Sequence, residues 1–179
     1  MPAGHAPHIL ITGLPGVGKT TLIRALAKRL AEHRPAGFYT EEIRDEQGGR
    51  EGFRLVTLCG RRLVLSHVRY SGPRVSRYGV DVEGFERLLE ELDLRHSPAP
   101  LIIIDEIGKM ECFSGRFVDV VTLLLDGPKP LVATIAMKGE GFVRRVKRRP
   151  DCRLVTVTRE NRDRLPDDLA SELQERLGR

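Results

Sequence analysis

Gly13-Leu14-Pro15-Gly16-Val17-Gly18-Lys19-Thr20 fits the pattern G-x-x-x-x-G-K-[ST] at every fixed position. Before it, His8-Ile9-Leu10-Ile11-Thr12 is a short apolar, partly β-branched run suited to a buried strand. After it, Leu22, Ile23, Leu26, Ala27 and Leu30 recur at helical spacing. The glycine-rich stretch therefore joins a strand to the start of a helix. There the free N–H groups of the first helical turn and the positive end of the helix dipole meet the charge of a phosphate chain. Gly13, Gly16 and Gly18 let the backbone curl with its N–H groups inward. Lys19 supplies a cation for the β and γ phosphates, and the Thr20 hydroxyl is placed to ligate Mg²⁺. The plainer reading, a glycine-rich turn that merely ends a strand, is disfavoured by the strand-loop-helix context. A nucleoside triphosphate is the expected ligand.

The second half of the expected site is Leu101-Ile102-Ile103-Ile104-Asp105-Glu106-Ile107-Gly108. An apolar run ending in a carboxylate describes a central parallel strand that delivers an acid to the carboxyl edge of the sheet, where open α/β sheets bind ligands. Asp105 is then the magnesium-side acid, acting on the ion directly or through one of its waters. Glu106 follows one residue later and could polarise a water aimed at the γ phosphate. Alone such a run is weak, because many strands end in an acidic turn. Paired with the upstream loop it reads as chemistry.

Length and composition agree with a compact soluble enzyme. At 179 residues, 40% hydrophobic and 31% charged, the chain is expected to form one domain with its own core. Met1 to Pro7 lacks a basic region followed by an apolar stretch, and no apolar run approaches bilayer length, so a cytoplasmic protein with no membrane contact is expected. A monomer is expected as well. Cys59, Cys112 and Cys152 are odd in number and far apart, which suits neither a zinc motif nor a disulfide framework; they are expected to be partly buried and inert.

The net charge of +5 is modest, and the triphosphate pocket itself asks for cations, so nucleic acid remains a minor alternative. The densest basic stretch is Arg144-Arg145-Val146-Lys147-Arg148-Arg149. It reads first as a solvated helix end whose cations favour the C-terminal dipole, and second as a lid of arginines over phosphates, with an RNA-binding patch as the remainder.

Along the chain strands and helices alternate, with one interruption. Gly37 to Ile43 and Gly52 to Leu58 look like strands joined by the turn-rich Asp45 to Gly49, and Arg62 to His67 adds a third, so an antiparallel ribbon is expected as an insert. Val68 to Asp81 reads as a long loop. Helices are expected at Phe85 to Leu92, Phe117 to Leu125, Phe142 to Arg148 and Leu165 to Leu177, with Pro166 near the start of the last. Strands are expected at Leu101 to Asp105, Leu131 to Ile135 and Arg153 to Val157. The fold class is α/β, a doubly wound and mostly parallel sheet.

Gly13 to Thr21 (GLPGVGKTT), Gly37 to Arg44 (GFYTEEIR), Gly52-Phe53-Arg54, Tyr78 to Asp81 (YGVD), Asp105 to Glu111 (DEIGKME) and Thr158 to Arg162 (TRENR) follow in this order. The series resembles the small nucleoside-triphosphatase family first described from thermophiles, and the resemblance covers nearly the whole chain. It implies Mg²⁺-dependent hydrolysis of a triphosphate to diphosphate and orthophosphate, with loose discrimination among ATP, GTP, CTP and UTP. Leu14 to Thr21 matches the family's phosphate loop. Ile102, Ile103, Ile104, Asp105, Glu106, Ile107, Gly108 and Lys109 match its second nucleotide segment. Glu106 matches the acid whose role is catalytic, beside Lys19 of the loop; Lys109 and Glu111 match without a role that spacing supplies. Cys112 departs from the usual aliphatic residue, and Val68 to Arg77 is not a close match.

Other readings differ in class. Asp105-Glu106-Ile107-Gly108 satisfies the D-x-x-G of regulatory GTPases. Yet Lys109 stands where a water-orienting glutamine is common, and Asn161-Arg162-Asp163-Arg164 lacks the second acid of a guanine-reading N-K-x-D loop. A nucleotide or small-molecule kinase fits the size and the phosphate loop, and phosphate release without an acceptor discriminates it from a hydrolase. An ATP-dependent nucleic-acid remodeller would show hydrolysis stimulated by RNA or DNA.

Overall fold

Uninterrupted apolar strands belong to sheets covered on both faces, and three segments here have that character. They are β1 (His8–Thr12), β7 (Ile102–Ile107) and β8 (Leu131–Ile135), the first and third buried along their whole length. In a computed structural model, which describes residues 7–178, these strands lie side by side in the parallel half of one nine-stranded sheet. The expectation about a secretory signal at the N-terminus falls almost wholly outside the described residues. Among those described, no helix is long and apolar enough to cross a membrane.

The remaining strands are β2 (Ala36–Arg44), β3 (Arg50–Thr57), β4 (Arg62–His67), β5 (Arg74–Val75), β6 (Tyr78–Val80) and β9 (Cys152–Thr156). The helices are α1 (Lys19–Arg29), α2 (Val82–Leu92), α3 (Gly115–Leu125), α4 (Gly141–Lys147) and α5 (Leu165–Leu177). Spatial order is β5-β6-β4-β3-β2-β7-β8-β1-β9. From β2 to β9 all pairings are parallel, and from β2 to β5 all are antiparallel.

Alternate residues of the central strands serve opposite layers, as the two-residue strand period requires. Ile9, Ile11, Leu101, Ile103 and Val132 pack with Leu22, Ile23 and Leu26 of α1 and Leu169 and Leu173 of α5. Leu10, Ile102, Ile104 and Ala133 pack on the other face with Phe85 of α2, Phe117 of α3 and Val143 of α4. Each such large side chain removed from water contributes about 1.5–3 kcal/mol. The layers hold the carboxyl ends of β1 and β7 rigidly, with β8 between them.

Three expectations change. The sheet is mixed rather than mostly parallel, four of the eight pairings among the described residues being antiparallel: β2 pairs with β7 on one side and β3 on the other, so the antiparallel strands extend the same sheet. That close approach needs Gly37, where a Cβ would stand 1.8 Å from the Ile103 carbonyl oxygen. Val68 to Asp81 is not one loop, because it contains β5 and β6, and Val80 N–H donates to the Pro73 carbonyl at 2.9 Å. Two- and three-residue strands are too short to show a period. Cys59 is exposed rather than partly buried. Cys112 and Cys152 are half-buried, and burial pushes both thiols up to about 11.

Candidate active site

Helices α2 and α3 start on side-chain caps, with Asp81 accepting from the Gly84 N–H at 2.9 Å and Ser114 from the Phe117 N–H at 3.0 Å. Helix α1 does not. Its N-cap is Gly18 at φ 112°, with no side-chain cap and no acid in its first turn. The amides there remain available to an outside anion, as a phosphate loop requires. Lys19 lies back over this loop, donating from Nζ to the carbonyls of Gly13 at 3.0 Å and Leu14 at 3.1 Å.

Asp105, at the carboxyl end of β7, is buried at 1% exposure yet satisfied on both oxygens. Oδ2 accepts from the Thr20 hydroxyl at 2.8 Å, the Thr40 hydroxyl at 2.9 Å and the Thr40 N–H at 3.2 Å. Oδ1 accepts from the Thr134 hydroxyl at 2.6 Å. A buried carboxylate without such donors would be strongly unfavourable. The acid is thereby tied to the glycine-rich loop through Thr20, to β2 through Thr40 and to β8 through Thr134.

Glu106 is half-exposed at the next position. Burial raises its pKa, the Asp105 charge raises it further, and Lys19 opposes both. Glu111 lies buried behind it in a short 3₁₀ turn, Glu111–Phe113. Burial first and the Glu106 charge second push Glu111 up to about 8. Gly108 separates the two side chains: a Cβ there would stand 2.6 Å from Glu106 Oε1 and 3.1 Å from Glu111 Oε2.

Gly16, Gly18, Lys19, Thr20, Thr21, Asp105, Glu106 and Lys109 border one cleft of about 770 Å³. Other residues expected in the nucleotide segments do not border it. Gly13, Leu14, Pro15 and Val17 build the loop from behind, with Leu14 exposed and Val17 in the core. Ile102, Ile103, Ile104 and Ile107 are fully buried under the two helical layers, and Gly108 spaces the two glutamates. Sequence reasoning missed Arg24, Glu41, Glu42, Phe53, Val75 and Ala136 as lining residues. The polar end of the GFYTEE run was a usable signal, since Thr40 and Glu41 break the apolar start of β2. Nothing marked Thr134 inside the apolar run Leu131–Ile135.

The Arg144 to Arg149 run borders the cleft at no position. Arg144 pairs with Glu140 at 3.3 Å, Arg145 lies 5.6 Å over the Phe142 ring, and Lys147 donates to the Met137 carbonyl at 2.7 Å. Arg149 clamps α3 to β9, reaching Asp126 at 2.8 Å, Asp151 at 2.7 Å and the Leu125 carbonyl at 3.0 Å. Cations at the cleft come instead from Lys19, Lys109 and Arg24, the guanidinium of Arg24 lying 5.1 Å from the Tyr39 ring centre and 3.9 Å from Glu41.

Beyond β9, the Asn161 amide is held locally: its Oδ1 accepts from the Thr158 N–H at 2.8 Å and its Nδ2 donates to the Thr156 carbonyl at 2.9 Å. The Arg162 side chain passes the glycine-rich loop, its Cδ 4.0 Å from where a Cβ on Gly18 would be. This segment adjoins Gly13, whose backbone meets the Val157 carbonyl.

Comparison with known proteins places the chain among relatives of one kind. A family model described as NTPase matches residues 8–170. Nucleoside-triphosphatase THEP1 of Thermotoga sp. (strain RQ2) is 42% identical over 168 residues, covering 93% of this chain and 95% of that protein. The human cancer-related nucleoside-triphosphatase is 41% identical, covering 94% of this chain and 97% of its own. The crystal structure of THEP1 from the hyperthermophile Aquifex aeolicus superposes with a TM-score of 0.82 at 40% identity, over 93% of this chain and 98% of that one.

Proposed function

The chain belongs to the NTPase family, and from that premise we propose that the cleft holds a nucleoside triphosphate by its phosphates and passes the γ-phosphoryl group to water, releasing diphosphate and orthophosphate. The observation that carries this reading is the 2.8 Å hydrogen bond from Thr20 to Asp105, which joins the phosphate loop to the acid of β7.

The N–H groups of Gly16, Gly18, Lys19 and Thr20 donate to the phosphate oxygens, and Lys19 moves from its carbonyl contacts to the β and γ phosphates. Glu106 accepts a proton from the attacking water. Its raised pKa brings it nearer neutrality, where a general base is most effective. Lys109, exposed at the cleft rim, stands where negative charge grows as the phosphoryl group transfers.

Mg²⁺ suits this donor set. Among the described residues no three His, Cys, Asp or Glu side chains cluster as a metal cage, and Mg²⁺ characteristically combines one or two protein oxygens with phosphate oxygens and waters. Thr20 would hold the ion directly, and Asp105, whose oxygens are engaged by hydroxyls, would hold Thr20 and one of the ion's waters. When bound, the ion neutralises charge on the β and γ oxygens.

The base is read loosely, so ATP, GTP, CTP and UTP are all substrates. Support comes from Asn161, whose Oδ1 and Nδ2 are both engaged by the backbone of its own loop. We read the chain as one domain acting as a cytoplasmic monomer; the continuous sheet supports the first, and three free cysteines suit a reducing compartment. Orthophosphate release from ATP with Mg²⁺ and no added acceptor tests the function. It should proceed in the wild type and nearly vanish in Lys19→Ala; near wild-type release in that variant would contradict the assignment.

A further inference from the structure

Three hydroxyls meet on Asp105, and their surroundings differ. Thr134 is fully buried and does not border the cleft. Thr20 of α1 and Thr40 of β2 are half-buried, and both line it. Their hydroxyls donate to the same oxygen, Oδ2, at 2.8 Å and 2.9 Å. Both stand within hydrogen-bond distance of one atom, so they lie close to each other. A hydroxyl carries one proton and two lone pairs. With each proton held by Asp105, the lone pairs of Thr20 and Thr40 remain for a partner, and two neighbouring acceptor oxygens suit a cation.

Satisfying Asp105 does not account for the Thr40 hydroxyl. Oδ2 already accepts from Thr20 and from the Thr40 N–H at 3.2 Å, and Oδ1 accepts from Thr134. Without the Thr40 hydroxyl, neither oxygen of the carboxylate would be left unpaired. The strand nevertheless holds this hydroxyl in place. β2 runs beside β7 in parallel register, Ala36 with Ile102, Gly37 with Ile103 and Phe38 with Ile104, and the ladder stops there. At Thr40 the Asp105 carboxylate accepts the N–H in place of a strand carbonyl, so backbone and side chain of one residue are fixed on one oxygen. A carboxylate that accepts a ligand's proton orients the ligand and makes it more basic. Asp105 prepares Thr20 in this way, and Thr40 with it.

We propose that Thr40 is a second protein ligand for Mg²⁺, its hydroxyl oxygen standing beside that of Thr20 in place of one of the ion's waters. The proposal rests on the triphosphate and magnesium reading above. Mg²⁺ combines few protein oxygens with phosphate oxygens and waters, which two hydroxyls respect. The arrangement gives β2 a function of its own. The strand at which the sheet turns from parallel to antiparallel is tied by the metal to the glycine-rich loop.

The test reads binding rather than turnover. Affinity of the full chain for the non-hydrolysable β,γ-methylene ATP is measured by calorimetry with Mg²⁺, with Cd²⁺ and with EDTA. Mg²⁺ should tighten binding in wild type, and Thr40→Ser should keep that gain. Thr40→Val should lose roughly tenfold of it or more, the range for a weakened metal site. Thr40→Cys offers a soft sulfur in place of a hard oxygen. It should bind poorly with Mg²⁺, prefer Cd²⁺ over Mg²⁺ roughly tenfold more than wild type does, and show a nucleotide-dependent ultraviolet cadmium–thiolate band. Thr134→Cys alters the same carboxylate away from the cleft, and should show no such band above wild type. An undiminished Mg²⁺ gain in Thr40→Val would overturn the proposal. So would Thr40→Cys with neither the altered metal preference nor the band, or an equal band in Thr134→Cys, because a Thr40 that only orients Asp105 does not change which metal binds. Should Thr40→Val fail to fold, Thr40→Cys decides. Wild-type affinity that is equal in Mg²⁺ and EDTA would instead contradict the magnesium reading, and the ligand assignment with it.

Discussion

Thr134 donates its hydroxyl to Asp105 Oδ1 at 2.6 Å from the neighbouring strand, where both residues are buried. Thr134→Val keeps the shape and removes the donor, leaving a buried carboxylate oxygen short of a partner at about 1–3 kcal/mol. The urea midpoint should fall accordingly. Since Asp105 orients Thr20, the Mg²⁺ concentration that half-saturates turnover should rise roughly tenfold or more, the range for lost support of a metal site. Thr134→Ser should restore both. A magnesium titration of turnover and urea unfolding of the three proteins check this.

Glu111 is pushed up to about 8 from an ordinary value of 4.5, chiefly by burial and then by the Glu106 charge. The folded protein therefore keeps a proton that the unfolded chain releases near pH 4.5. The stability this confers is full below that pH and drains away as pH rises to about 8, at up to about 1.4 kcal/mol per pH unit. Glu111→Gln has no proton to lose, so its stability relative to wild type should climb between pH 5 and pH 8. Urea unfolding at pH 5, 6.5 and 8 measures the difference, and a constant offset would show that Glu111 ionises normally.

Base selectivity should be weak. Asn161 spends both polar atoms on the Thr156 and Thr158 backbone, while Arg162 carries a planar cation past Gly18. A guanidinium stacks on any base face without reading its edge. ATP and GTP should compete within a hundredfold, about 2.7 kcal/mol, and Arg162→Ala should raise KM for both by the same factor with little change in kcat. Steady-state kinetics with each nucleotide decide; a selective rise for one base would mean that an edge contact exists.

Much of one end of the cleft is legible in the amino-acid sequence itself. The strand-loop-helix around Gly13 to Thr20 and the run ending at Asp105 locate both of its halves, because glycine placement and unbroken apolarity are strong local signals. Legibility fails where the cause is tertiary. Ile102 to Ile104 carry the look of a nucleotide segment but are packed between helices, and Asp105, Glu106 and Lys109 emerge at the cleft. Thr134 gains its meaning from β8 lying between β1 and β7, which no local pattern announces. Phe53 and Val75 reach the cleft because β2 continues past β7 into antiparallel partners, and β5 is too short to show a period.

The central claim is that Glu106 activates the attacking water, and Glu106→Gln tests it most directly. The amide keeps the size of the side chain, leaves Lys19, Thr20 and Asp105 in place, and is a far poorer proton acceptor. Nucleotide affinity and single-turnover hydrolysis should be measured together in wild type and variant. The account predicts affinity within a few-fold of wild type and hydrolysis slower by about a hundredfold or more. Unchanged hydrolysis at unchanged affinity would contradict it and remove Glu106 from the reaction.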